Sequence, residues 1–337
     1  MFFHKLLTSL FHQLNGERSV MAPYYILRGK KSGQTLQDIH YYKVAGFFGV
    51  GQDLSKESYN QYVQELIDLK WIHSIEKPIV TDKGKEQLDE FSTLFHRGVV
   101  PPALLSVEAT LLLIAQLASN ALYENNRYIP VIDNQTIQHR VKEWLHTQPS
   151  LSTVANEVKK TLHSFVTEEL STELEKNLFV YRITGYQTAG LTWTQLAEQF
   201  NTAAIDCLYV YRQSVLRFYG YLEQQSSPLV RLFEPPSPLT ETAKNTQSLL
   251  QKGYSLEEVS MVRSLKLSTI EDHIIELASY TTGFNYQDYI SEQDVMKIKK
   301  TQSQLNTHKL KLLREQLPQF SYFQIRLALA LGGDLNE

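Results

Sequence analysis

Gly29-Lys30-Lys31-Ser32 has the ending of a phosphate-binding loop, in which glycines let backbone N–H groups close on a phosphate and a lysine reaches its oxygens. The first glycine of G-x-x-x-x-G-K-[ST] is absent, so the stretch reads as a turn. Gly49 and Gly51, in FFGVGQ, lack a third glycine at dinucleotide spacing and also read as turns. The ten histidines include no H-E-x-x-H pair, and the single Cys207 cannot assemble a zinc finger. No G-x-S-x-G nucleophile elbow occurs. His139 and His146 lie near Glu143 on one predicted helix, a grouping that helix surfaces collect without binding metal. The carboxylates are scattered, and no spacing singles out a Mg²⁺ set. This pattern predicts a non-enzyme with no cofactor and no metal.

Charge is the chemistry that remains. The 337 residues carry a net charge of −3, so contact with nucleic acid must come from a local patch. Residues 295–326 supply one: Lys297, Lys299, Lys300, Lys309, Lys311, Arg314 and Arg326 stand against Glu315 alone, a net +6. Arg28, Lys30 and Lys31, beside Gln34, form a smaller cluster. Residues 241–294 are the opposite, with 4 basic and 9 acidic side chains.

The elements that position these charges centre on Gly253 to Leu277, GYSLEEVSMVRSLKLSTIEDHIIEL. Ser255 is placed to cap a first helix, with Glu257 and Glu258 where the helix dipole favours negative charge. Leu256, Val259 and Val262 recur at three-residue spacing and predict a buried face. Ser260 is small where two helices cross. Ser264-Leu265-Lys266-Leu267 makes the turn, and Ser268 caps a second helix bearing Ile270, His273, Ile274 and Leu277. This is a helix-turn-helix layout, whose second helix is the one normally offered to DNA. Lys266, Ser268, Thr269 and His273 are its candidate DNA contacts. Glu271, Asp272 and Glu276 on the same helix repel phosphate, and no Arg or Asn is set for bidentate base reading. The three carboxylates are therefore candidate partner-binding residues, and the helix-turn-helix is a scaffold or protein-docking surface beside a phosphate-gripping tail.

The run G-x-S-x-E-E-V-S…S-L-K-L-S-T-I-E-D-H-I resembles the helix-turn-helix module appended to some RecQ-class helicases. It is also similar to that of the YpbB-type proteins of Gram-positive bacteria, thought of as partners of such a helicase. ILRGKKSGQTLQDIHYY (Ile26 to Tyr42) and LKLLREQLPQFSYFQIRLALA (Leu310 to Ala330) resemble the same type. Ser264 departs from the pattern, standing where such modules usually carry glycine. The resemblance implies DNA binding of low specificity and a RecQ-class helicase as partner.

Elsewhere the patterning predicts a mainly α protein in three parts. Residues 1–98 read as a winged-helix-like domain. In it Thr35 and Ser55 cap two helices, Trp71–Ile75 and Pro78–Thr81 form a short hairpin, and a closing helix runs from Thr81 through Leu88 and Phe91. The apolar N-terminal residues Phe2 to Leu14 follow helical spacing, which predicts a helix packed on this domain and no secretion signal. Residues 99–235, opened by Val99-Val100-Pro101-Pro102, read as a helical middle domain. Its aromatics Tyr209, Tyr211, Phe218, Tyr219 and Tyr221, interleaved with Arg212 and Arg217, suit a bundle core better than a stacking surface for single strands. Leu191 to Ala197 has the start of a further helix-turn-helix, with no turn evident after it. Pro228, Pro235, Pro236 and Pro238 bracket a linker. Residues 236–337 then form the helix-turn-helix domain with a basic helical tail.

Ala103 to Leu122 is the membrane candidate, but Glu108, Gln116 and Asn120 interrupt it, which predicts a core helix. One cysteine fits a reducing compartment, and a cytoplasmic protein is expected. The sequence predicts a nucleic-acid-associated accessory protein supporting a RecQ-class helicase in DNA repair or replication restart. A winged-helix/helix-turn-helix transcription regulator is the alternative, and a pure protein adaptor a third reading.

Overall fold

Apolar residues recurring every three or four positions behind Ser, Thr and Asn caps build this protein from α-helices. The computed structural model describes residues 1–89, 91, 93, 95, 104–225, 227–233, 239–281, 283–305, 307 and 309–331. In chain order the helices are α1 (Phe2–Leu14), α2 (Ala22–Leu27), α3 (Gly33–Tyr41), α4 (Lys56–Asp68), α5 (Asp82–Glu86), α6 (Leu104–Leu122), α7 (Gln135–His146), α8 (Leu151–Ser164) and α9 (Glu173–Tyr181). They continue as α10 (Trp193–Gln199), α11 (Ala204–Gln224), α12 (Glu241–Leu250), α13 (Leu256–Arg263), α14 (Leu267–Tyr280), α15 (Glu292–Leu305), α16 (Leu310–Gln316) and α17 (Tyr322–Ala330).

The three serial domains expected from sequence are replaced by two compact units. Met1–Ser9 and Gly84–Pro236 form the middle unit, while Leu10–Lys83 and Ser237–Glu337 form the terminal unit. The breaks expected at Val99-Val100-Pro101-Pro102 and around Pro235, Pro236 and Pro238 lie outside the described residues. Pro228, placed in a linker by the sequence, opens a 3-10 turn whose Leu229, Leu232 and Phe233 are buried.

In the middle unit, α6 is, among the described residues, the helix long and apolar enough to cross a membrane, and most of it is buried inside the protein. Its polar residues are paired: Glu108 with Arg212 at 3.6 Å, Thr110 with Arg140, and Gln116 with the backbone of Ile129 and Val131. A paired interior keeps such groups from costing their full desolvation. Phe165, Phe179 and Phe218 pack at 5.0–6.0 Å as the centre of the aromatic core, with Tyr211, Tyr221 and Phe233 around them. Arg217 is held by Glu175 at 3.3 Å. These rings are core, not a stacking surface. A turn does follow α10: Asn201 takes φ +48° and leads into α11, but α11 is buried on most sides. Asparagine tolerates the left-handed region, and that was the available signal.

In the terminal unit, Ser32 and not Thr35 caps α3, accepting from the Thr35 N–H. Ser55 caps α4, whose Tyr59, Val63 and Leu66 are buried. The expected hairpin reduces to one antiparallel bridge, Ile72 with Val80, and the expected closing helix stops at Glu86. Gly29 and Gly49 are turn glycines at φ +67° and +77°, so close that a Cβ on Gly29 would lie 3.0 Å from the Gly49 Cα.

The amino-terminal segment is built into the helix-turn-helix half. Glu17 accepts from Tyr42 at 2.9 Å and from Thr307 at 3.0 Å, His40 packs edge-on to Tyr280, and α3 lies against α14 and α17. Ile274, Leu277, Ile298, Leu313, Phe323 and Ile325 make the apolar core of that half.

A fragment starting at Ser237 lacks the cover that α3 provides. Hydrogen exchange should show the amides of α14 and α17 less protected in that fragment than in the full chain. Equal protection would show that the carboxyl-terminal helices are self-sufficient.

Candidate nucleic-acid interface

Ser255 caps α13 as expected, and its partner Glu258 completes a reciprocal capping box. The turn passes through Ser264 at φ +51°, ψ +40°, where a side chain costs roughly 1–2 kcal/mol that glycine avoids. Ser260 offsets part of this by donating its hydroxyl to the Leu265 carbonyl at 2.6 Å. Two expectations need correction here. Ser268 does not cap α14: the helix starts two residues earlier than such a cap would give, with Lys266 at the cap position and no side-chain acceptor. Val262 is 60% exposed and Met261 70%, because the core side of that helix is formed by Val259, with Leu256 packed at its edge.

The interior of α14 differs most from the sequence reading. His273, a candidate DNA contact, is only 5% exposed. Its Nδ1 lies 2.8 Å from the Thr246 hydroxyl, and its Nε2 lies 3.3 Å from that of Thr242. Arg263 donates to the Thr246 hydroxyl at 2.5 Å and to the Thr242 carbonyl at 2.6 Å. The Thr246 proton is then directed at Nδ1, which assigns a neutral imidazole with its proton on Nε2. Burial, followed by the nearby Arg263 guanidinium, holds the His273 pKa below its ordinary value. His273 thus ties α12, α13 and α14 together and does not face DNA.

Two of the three candidate partner carboxylates are also engaged. Glu276 is 5% exposed and accepts from the Thr240 N–H at 2.5 Å and its hydroxyl at 3.0 Å, fixing the start of α12. Asp272 is ion-paired with Arg326 of α17. Glu271 is half-buried, and burial raises its pKa. The outward acid of α14 is reduced to Glu271 and the exposed part of Asp272, whose side chain is 41% exposed.

Its first turn does stay at the surface. Lys266 and Ser268 are exposed there and Thr269 is half-buried. Of the basic tail, Lys297, Lys300, Lys309 and Lys311 are exposed on α15, at the cap of α16 and on α16 itself, with Lys299 half-buried beside them. Arg314 turns inward to the Leu317 carbonyl at 3.3 Å. Together with the Arg326 pair, this leaves lysines as the outward positive charge of the tail, beside the exposed Glu315. In the smaller cluster, Arg28 donates to the Leu54 carbonyl, Lys30 lies 4.1 Å from the Tyr25 ring centre, and Lys31 is exposed.

Residues 242–329 match the family model of a helix-turn-helix domain. The chain as a whole is similar to Protein YpbB of Bacillus subtilis (strain 168), 29% identical over 347 aligned positions that cover 97% of each protein. No solved structure matches it. The YpbB-type resemblance read from three short stretches therefore extends through the middle unit as well, and the helix-turn-helix domain supports DNA binding.

The buried imidazoles carry a pH dependence. His40, like His273, has its pKa lowered by burial. Unfolded imidazoles take up protons near about pH 6.5, whereas these do so only at lower pH. Their contribution to stability is whole above that value and is lost as pH falls toward the folded pKa. The urea midpoint should drop between about pH 7.5 and about pH 5. His273→Gln should shrink that drop; an undiminished drop would place the effect elsewhere.

Proposed function

We propose that this YpbB-like chain is a non-catalytic accessory protein that holds DNA weakly, with little sequence preference, through the lysines of α15 and α16. It supports a RecQ-class helicase in DNA repair or replication restart, in the cytoplasm, with Leu10–Lys83 as a winged-helix-like segment that buttresses the helix-turn-helix. The observation that carries the DNA reading is the sorting of charge in the terminal unit. Asp272 and Glu276 of α14 are bound to Arg326 and Thr240, while Lys297, Lys300, Lys309 and Lys311 face solvent. Lysines act as point charges on phosphates and carry little base information.

The regulator alternative is weakened by the same geometry. A recognition helix must lay side chains on base edges, and α14 offers only its first turn, with Lys266 and Ser268. The helicase reading rests on the resemblance to the YpbB type. Asp272 and Glu276 have internal partners, so the contact is placed instead at the exposed apolar end of α13, Met261 and Val262. An exposed apolar pair beside a structured turn suits a protein partner better than a phosphate backbone.

Replacing Lys297, Lys299 and Lys300 with Ala should weaken binding to all DNA sequences alike. The salt slope should flatten by about one unit for each phosphate that is no longer neutralised. Unchanged binding at low salt would remove this surface from the proposal.

Capture of the tagged chain from nuclease-treated extract of its own cells should bring down a RecQ-class helicase. Met261→Asp with Val262→Asp should reduce that recovery and leave DNA affinity unchanged. Recovery of RNA polymerase without the helicase would favour the regulator.

A further inference from the structure

The residues of α13 divide cleanly between an inner and an outer side. Leu256 and Ser260 are half-buried, Val259 is buried, and Arg263 reaches back to Thr242 and Thr246 of α12. Glu257, Glu258, Met261 and Val262 are all exposed. Residues four apart lie one above the other on a helix, so Met261 follows Glu257 and Val262 follows Glu258. The outer face is therefore acidic over the first turn of the helix and apolar over the last. Across the turn, Leu267 opens α14 and is exposed too.

The helix does not neutralise this acid itself. Arg263 is its one basic residue and is turned inward. Glu258 accepts from the Ser255 N–H at 2.8 Å in the capping box, which leaves its negative charge in place. Lys252 and Lys266 stand outside the helix, in the segments before and after it. What complements such a face follows from its parts. Apolar side chains are needed opposite Met261 and Val262, and the flexible thioether chain of Met261 adapts to them. Positive groups one helical turn away then meet Glu257 and Glu258, because opposite potentials steer encounter and like ones suppress it. A phosphate backbone meets neither demand.

We infer that the outer face of α13 docks a basic amphipathic helix of the partner protein, one that carries apolar side chains on one turn and Lys or Arg on the next. This rests on the reading that a helicase is held at Met261 and Val262, and it adds the chemistry of the segment by which the helicase is held. Apolar contact supplies the residence time of the complex, and the carboxylates supply its rate of formation and its choice of partner.

The test measures association of the purified full chain, over a range of salt, with two probes. One is a purified RecQ-class helicase from the same cells. The other is a synthetic amphipathic helix of Leu and Lys, with a counterpart bearing Glu for each Lys as control. Glu257 is exposed and lies outside the capping box, so Glu257→Gln and Glu257→Lys should leave the melting temperature near that of the wild type. At low salt they should slow association with the helicase by about twofold and about fivefold, in that order, and the difference should vanish at high salt. Met261→Ser should instead speed dissociation at every salt concentration. The Leu–Lys helix should outbind its Leu–Glu counterpart and lose affinity in the same variants. Helicase bound equally by the wild type and both Glu257 variants at low salt would overturn the inference and leave the helicase partnership standing. Binding of the Leu–Lys helix, lost in Glu257→Lys, without binding of the helicase would keep the surface and remove the proposed partner. Self-association of the wild-type chain that Met261→Ser abolishes would give the face to a second copy and overturn the inference. So would binding of neither probe, or equal binding of the Leu–Lys helix by the wild type, Glu257→Lys and Met261→Ser.

Discussion

His273 and Glu276 lie three residues apart on α14, both turned inward toward α12. A carboxylate or an imidazole in that position is expensive unless the interior supplies matched groups. Thr240 gives Glu276 its N–H and hydroxyl, while Thr242, Thr246 and Arg263 close around His273. These bonds fix the mutual positions of α12, α13 and α14. The Asp272 to Arg326 pair adds α17, and Gly33 lets α3 approach that pair. The rest of the terminal unit is arranged around this helix.

An α14 held in this way has little surface left for reading bases. The usual role of the second helix in such a motif is taken over by structure, and the part still exposed is its first turn. Outward positive charge has moved instead to α15 and α16, where lysines stand on helices whose opposite faces feed the apolar core through Val295, Ile298 and Leu313. Folding thus takes Asp272 and Glu276 out of the acidic surface counted along the sequence and leaves exposed lysines on α15 and α16. Attraction to phosphate depends on the exterior charge.

The middle unit shows the same sorting with different side chains. Arginines that alternate with aromatics along α11 point inward to Glu108 and Glu175, and the rings fill the core. α6, apolar enough for a membrane, becomes the centre of a bundle because its buried polar groups find partners there. Pairing of buried charges, more than hydrophobicity, distinguishes these helices from surface or membrane ones.

Periodicity and capping chemistry are local, and they were legible without tertiary structure. Ser255, Ser55 and the three-residue spacing of α4 each announce a helix through neighbours within one turn. The helix-turn-helix, the mainly helical class and the core role of the α11 aromatics followed from such patterns, while the family resemblance rested on the residues of three short stretches. The hairpin at Ile72 and Val80 was legible in place but not in extent, because strand length depends on a partner outside the local run. What α14 faces was not legible at all. Glu271, Asp272 and Glu276 read as an acidic surface because a sequence does not record which long-range donors a carboxylate meets. Thr240, Arg326 and Gly33 lie 36, 54 and 239 residues away from the α14 carboxylates they serve or approach. Only the tertiary structure brings residues 10–83 and the carboxyl-terminal helices into one unit, and that decides which charges are spent inside and which remain outside.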